Sequence, residues 1–341
     1  MTPRLLDYLC DPITKQPLRL VDAVMDGDAI ESGFLVSPDG VKYPVIRGIP
    51  RFVDCQLKES VDSFGDEWNH FNFTEFKINW LQHTVKNTFG SVDAFRGKVI
   101  VDAGGGSGAQ SMWFLESGAE YVILLELSHS VDDVVTRNID THKWKNFDVV
   151  QCSIDQPPIK DESISGFVYC HNVIQHTPSV EKTAHALYRL AAKGGEFVFN
   201  CYQKNDEGII RWVRFHCIYQ PMRLILSRLP FWAILMYARM MGVLRLIPVL
   251  GIFLDKTYLC GQGDVPIIPN ESTFSRLKRR FRATCLNTFD AYGSHTFQHH
   301  KSDTEIRDLL SSMRPEPENI GNLEAYFRRP PPIGCALRVQ R

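Results

Sequence analysis

Between residues 97 and 202 short apolar runs of strand length alternate with amphipathic stretches of helix length. KVIVDAG reads as a buried strand, GAQSMWFLESG as a helix closed by glycine, and YVILLEL as a second strand. SVDDVVTRNI reads as a helix, and FDVVQCS and ISGFVYCH as the third and fourth strands. SVEKTAHALYRLAAKGG then reads as a helix ending on a glycine pair, and EFVFNCY as the fifth strand. Alternation at this spacing predicts an α/β fold, a doubly wound parallel sheet with helices on both faces. Upstream, 1–53 predicts a small β-rich domain with a Pro-Asp-Gly turn inside FLVSPDGVKYPVIRGIPRF, and 54–96 an aromatic, helical cap segment. Downstream, 203–285 predicts a helical insertion. Residues 286–341 predict a return to the sheet: a helix with a capping box, Ser302 and Glu305, then NLEAYF and GCALRVQ as strand-like runs of a closing antiparallel hairpin.

Charge changes this picture in one place. The 341 residues hold 38 Lys and Arg against 39 Asp and Glu, a net −1 that excludes a globally basic nucleic-acid binder. At 44% hydrophobic and 23% charged the chain has the composition of a folded protein. Yet residues 208–254 contain no acid and six arginines (211, 214, 223, 228, 239 and 245), in the most apolar stretch of the sequence. The 9 cysteines are odd in number and scattered without a Cys-x-x-Cys pair, which predicts a reducing compartment. The first residues, MTPRLLDYLC, are too polar for a signal peptide, so the cytoplasm is the expected location.

The chemistry concentrates in VIVDAGGGSGAQ, residues 99–110, a glycine-rich turn between a strand and a helix. Gly104-x-Gly106-x-x-Ala109 satisfies the relaxed dinucleotide fingerprint, which leaves a nicotinamide- or flavin-dependent oxidoreductase open. Asp102 separates the readings, because a carboxylate at the strand end opposes a pyrophosphate and favours a cationic ligand.

The run Asp102-x-Gly104-x-Gly106-x-Gly108, followed by Glu126 at the end of the second strand, resembles class I S-adenosylmethionine-dependent methyltransferases of the type 11/12-like group. The resemblance covers most of the chain. It implies a Rossmann-like fold, S-adenosyl-L-methionine as cofactor and S-adenosyl-L-homocysteine as product. By the same resemblance Gly104, Gly106 and Gly108 cradle the methionine end with Asp102 behind them. Glu126 holds the ribose hydroxyls, and Ser153, Ile154 and Asp155 lie at the adenine, with Ser153 where the family usually has an acid. His171 falls in the fourth-strand segment VYCHNVIQH. Phe64, Gly65, Trp68 and Phe71 match a motif that precedes the cofactor domain in a subgroup, implying that Trp68 caps the cofactor; an aromatic anchor to the core is the competing reading. Phe289-Asp290-Ala291-Tyr292, then His295, His299 and His300, match a later segment of that subgroup. LLDYLCDPITKQPLRL with YPVIRGIPRF resembles the zinc-ribbon-like domain of methyltransferase activator subunits. The ligand positions there fall on Asp11 and Thr14, with Cys10 one residue out of register, so the fold is expected without a metal. That likeness keeps a further reading open, a non-catalytic cofactor-binding partner subunit.

Residues just after the fourth and fifth strands face the site at the carboxyl edge of such a sheet: His171, Asn172, Gln175, His176, Asn200 and Tyr202. His176, His171 and Tyr202 are the candidate catalytic groups, His176 first as a base. Asn172, His176, Arg211, Arg214, Tyr292 and His295 are the candidate substrate contacts. HNVIQH is not the Asn/Asp-Pro-Pro-aromatic tetrapeptide of enzymes that methylate amines of bases, which again disfavours nucleic acid and favours a small-molecule acceptor, lipophilic or anionic. For the acid-free strip three readings stand: a substrate lid, a homodimer or packing surface, and an interfacial membrane contact. Its longest uncharged run, LPFWAILMYA, is about half a bilayer span.

Overall fold

The computed structural model describes residues 1–53, 70–139, 144–204, 206, 208–293 and 296–341. Five parallel strands occupy the centre: β5 (Val99–Ala103), β6 (Tyr121–Glu126), β7 (Phe147–Gln151), β8 (Phe167–Cys170) and β9 (Glu196–Phe199). With β10 (Asn319–Gly321) and β11 (Leu337–Gln340) they form one seven-stranded sheet, ordered β10-β11-β9-β8-β5-β6-β7, in which β11 runs antiparallel to both neighbours. This is the expected Rossmann-like sheet with its closing hairpin. Side chains alternate between two cores. Val99, Val101, Tyr121 and Ile123 face one core, and Ile100, Val122 and Leu124 the other. Helices α1 (Ala109–Glu116) and α2 (Ser130–Asn138) cover the second face with Trp113, Phe114, Val131 and Val135. Helices α3 (Val180–Tyr188) and α7 (Asp303–Ser312) cover the first with Ala184, Leu187, Ile306 and Leu309. The capping box of Ser302 and Glu305 starts α7.

Residues 1–53 form an antiparallel sheet of β1 (Arg19–Asp26), β2 (Ala29–Val36), β3 (Lys42–Ile46) and β4 (Ile49–Pro50). Contrary to expectation they do not stand apart as a domain. Leu5, Leu9, Ile30, Leu35 and Val45 share a core with Val101, Ile123 and Val150, because four short strands bury too little apolar surface alone. Beyond β4, Arg51 bridges in parallel to Gln151 and the Phe52 amide donates to its carbonyl at 2.8 Å, covering the outer edge of β7. The Asp11 carboxylate accepts the amides of Ile13 (2.9 Å) and Thr14 (2.8 Å) and the Tyr43 hydroxyl (2.8 Å).

Two other expectations are corrected. NLEAYF is not a strand: β10 ends at Gly321, Asn322 enters the left-handed region at φ 66°, and Leu323–Phe327 forms a helical turn. Asn322 Nδ2 donates to Thr88 O (3.0 Å) and Ala336 O (2.9 Å), which holds the break in place. The boundary expected at 285/286 falls inside a continuous helix, α6 (Thr273–Tyr292), whose buried face runs on through Ala283, Leu286 and Phe289.

That helix belongs to a second compact unit, Gln203–Thr296; Met1–Tyr202 with Phe297–Arg341 make the first. The second unit consists of a helical stretch over 209–226, α4 (Phe231–Leu246), α5 (Pro248–Thr257) and α6. Gly242 lets α4 approach α6 closely, since a Cβ there would lie 2.7 Å from Cys285 Sγ. Arg245 is buried in this unit, paired with Asp255 at 2.6 Å and Asp264 at 3.5 Å, and its guanidinium also donates to Gly261 O at 2.8 Å. One of the six arginines of the acid-free strip is thus internal.

Candidate cofactor and active site

The turn after β5 is held by its own hydrogen bonds. Gly104 has φ 79°, and a Cβ there would lie 2.4 Å from Val173 Cγ1, so neither backbone nor space admits a side chain. The Gly104 and Gly105 amides both donate to Leu125 O, at 2.7 and 3.2 Å. The Gly106 amide donates to Glu126 Oε2 at 2.9 Å, and Glu126 Oε1 accepts the Ser128 amide at 2.8 Å. Glu126 therefore bridges the glycine turn and the turn after β6. Gly108, at φ 74°, caps α1, and its amide donates to Gly105 O at 2.9 Å.

Asp102 lies directly beneath this turn. A Cβ on Gly105 would sit 3.0 Å from its Oδ2. The Ser111 hydroxyl donates to that oxygen at 2.7 Å, and the Ser111 amide bonds the same carboxyl. Burial pushes the Asp102 carboxyl up to about 7, with the nearby Glu126 adding to the rise and the Ser111 bonds opposing it. Ser111 carried no distinctive signal in the sequence; a serine in the first turn of a helix such as α1 is too common to single out.

Beside this turn the Cys152 amide donates to Glu126 O at 3.0 Å, bringing the segment after β7 to Glu126. There Ile154 is buried and the Ser153 hydroxyl donates to the Asp155 carboxylate. After β8, Asn172 takes φ 59°. Its amide donates to Asn200 Oδ1 at 2.7 Å and Asn200 Nδ2 returns to Asn172 Oδ1 at 2.6 Å, tying together the ends of β8 and β9. His171 is stacked on Tyr169 at 5.7 Å and donates from Nε2 to Gly334 O at 3.3 Å. Burial pushes this imidazole down to about 4, which disfavours a proton gained on the ring. Gly334 carried no sequence signal at all.

His176 donates from Nδ1 to Phe297 O at 3.1 Å, which leaves the lone pair of the neutral ring on Nε2. Its ring meets Tyr202 edge-on at 5.6 Å, and Tyr202 lies 5.6 Å from His300. The His299 amide donates to Gln175 O at 2.9 Å and its Nε2 to Thr177 O at 3.1 Å. Two histidine groups distant in sequence are thus brought together. The Gln175 side chain is fully buried, and neither amide atom has a hydrogen-bond partner among the described residues.

Other expected residues lie elsewhere. Trp68 and His295 fall outside the described residues. Arg211 and Arg214 are half-buried on the helical stretch of the second unit. Tyr292, expected as a substrate contact, is buried inside that unit against Tyr219 and Tyr237, with its hydroxyl donating to Tyr258 O. It is a packing residue. Among the described residues no group of three His, Cys, Asp or Glu could hold a metal ion.

Residues 101–199 match the family model described as a methyltransferase domain. The match runs from β5 to the end of β9, the five parallel strands of the sheet. No curated protein matches the chain. Among solved structures it is similar to a putative S-adenosylmethionine-dependent methyltransferase from Listeria monocytogenes, at 19% identity over 34% of this chain and 52% of that one, TM-score 0.30. It is also similar to a complex between the Haloferax volcanii Trm112 methyltransferase activator and the putative methyltransferase, at 20% identity over 45% and 64%, TM-score 0.34. A methyltransferase from Mesorhizobium loti shares 22% identity over 34% and 52%, TM-score 0.30. The chain spans from 52% to 64% of the length of these three structures.

Proposed function

We propose that this protein transfers the methyl group of S-adenosyl-L-methionine to a small-molecule acceptor. The observation that carries the reading is the direction of the glycine turn's donors. A dinucleotide site needs backbone amides and a helix start turned towards a pyrophosphate. Here the amides of Gly104, Gly105 and Gly106 are taken by Leu125 O and Glu126, and Asp102 takes Ser111 at the start of α1. What the turn retains is a pair of buried carboxyls, Asp102 and Glu126, which a cationic ligand would draw into the ionised form. A ligand bearing sulfonium and ammonium groups complements that pair.

The cofactor supplies an electrophilic methyl group. Gly104, Gly106 and Gly108 give it a close backbone cradle, and Glu126, held by two amides, is preorganised to receive ribose hydroxyls. The segment of Ser153, Ile154 and Asp155, next to Glu126, would meet the adenine. His176 is the base for an acceptor hydroxyl, with Tyr202 and the Asn172–Asn200 pair fixing the surrounding shape. Much of the rate enhancement in such a displacement comes from alignment of acceptor, methyl and sulfur, on the order of 7–11 kcal/mol at best. The β1–β4 sheet reads as a metal-free relative of the zinc-ribbon-like domain, in which the Asp11 hydrogen bonds hold the loop that a metal would otherwise hold.

Calorimetric titration with S-adenosylhomocysteine and with NADH tests the reading. Binding of the first and not the second is expected; binding of NADH alone overturns it. In Glu126→Gln the new amide group opposes one of the two backbone donors, so S-adenosylhomocysteine binding weakens about tenfold, or about 1.4 kcal/mol. Unchanged affinity removes Glu126 from the site.

A further inference from the structure

We propose that the second unit, Gln203–Thr296, seats on the surface of an anionic phospholipid bilayer, with its helices lying in the headgroup region. The first observation is an exposed apolar face. Helix α4 is apolar on two sides: Ile234, Leu235, Ala238 and Met241 pack inward, while Trp232, Met236, Met240 and Val243 point into solvent. The outward residues recur at intervals of four, four and three, so they form one stripe along the helix. Trp232 is 64% exposed and Met236 62%. Beyond Pro248 the exposure continues on α5 with Val249, 78% exposed, and with Ile252 and Phe253. Contiguous apolar surface of this kind marks a binding face.

Charge identifies what the face binds. The second unit carries 13 basic and 6 acidic residues, a net +7, while the remaining chain carries 25 and 33, a net −8. No acid lies within 208–254, and exposed Arg228 and Arg239 flank the apolar positions. Apolar side chains, tryptophan and arginine on one surface match the acyl boundary, the interfacial belt and the phosphate layer of an anionic leaflet. A second copy seated symmetrically on this face would bring the same positive charges together. Spanning is excluded by length. At about 1.5 Å per residue, the 16 residues of α4 reach about 24 Å, short of the roughly 30 Å hydrocarbon core, and Arg239 sits mid-helix. No described helix is long and apolar enough to cross a membrane.

Flotation of the full chain with vesicles tests this directly. One set contains phosphatidylcholine alone; in the other about a third of the lipid is phosphatidylglycerol. The expected result is binding at least about tenfold stronger to the anionic vesicles, weakening as salt is raised. The double variant Trp232→Glu, Val249→Glu, altered only at solvent-facing positions, should lose at least about tenfold of that binding while keeping its melting temperature and circular dichroism. Absence of flotation with both compositions overturns the proposal, as does binding that the double variant leaves unchanged. A dimer in sedimentation that the double variant dissociates, without vesicle binding, overturns it in favour of a second copy.

Discussion

The strands β5 and β6 of the first unit bury every one of their residues, whereas α4 in the second unit leaves four large apolar side chains in solvent. The charged groups differ in the same sense. Asp102 and Glu126 are buried and held by Ser111 and by the Gly106 and Ser128 amides, while Arg228 and Arg239 of the second unit are exposed beside apolar positions. In the first unit, polar groups are buried and fix one geometry of the glycine turn. In the second, apolar groups are kept at the surface, where they add little to folding and suit the proposed bilayer contact. Hydrophobicity alone therefore does not locate a core; the partner that covers it does.

Four substitutions break or sharpen this contrast. The largest effect is expected from Gly104→Ala, which forces a side chain into left-handed backbone and into Val173; chemical denaturation should show a loss of about 3–4 kcal/mol. A loss below about 1 kcal/mol would mean that the turn is not rigid. Next comes Asp102→Asn, read as a pH series. With its carboxyl pushed up to about 7, folded Asp102 keeps a proton that unfolded aspartate has already lost. The stability this contributes is full below the unfolded value, about 4, and fades as pH rises towards 7. Between pH 5 and pH 8 the asparagine variant should therefore gain about 3 kcal/mol relative to the native protein. A pH-independent difference would show that Asp102 is ionised in the folded state throughout.

Arg245→Met tests the one strip arginine that behaves like a residue of the first unit. It leaves Asp255, Asp264 and the Gly261 carbonyl without their buried donor, and should cost about 2 kcal/mol. The smallest effect belongs to Val249→Ser on the exposed face: thermal melting should show a change within about 0.5 kcal/mol. A larger loss would show that Val249 packs in solution and that the contrast between the units is overstated there.

Most of the central sheet was legible in the sequence. Its strands are short apolar runs bounded by turns, and their side-chain alternation is a local property. The glycine turn was legible for the same reason, since strand, Asp102, the glycines and Glu126 lie within 28 residues. NLEAYF misled because its apolar spacing suits either a strand or a helical turn; contacts of Asn322 with Thr88 and Ala336 decided between them. The near-neutral state of His171 was illegible because it depends on burial and on Gly334, 163 residues away.

By itself the sequence determined the alternating strands and helices of the central sheet, the glycine-rich turn after its first strand, and that the stretch 208–254 is both basic and apolar. These follow from periodicity, backbone freedom and charge, all set by neighbours along the chain. Only the tertiary structure decided that residues 1–53 share the sheet's core, that two histidine groups converge on Tyr202, and that one strip arginine is internal while a stripe of α4 is exposed. Those outcomes depend on which surfaces meet across long separations, and burial is a property of that meeting.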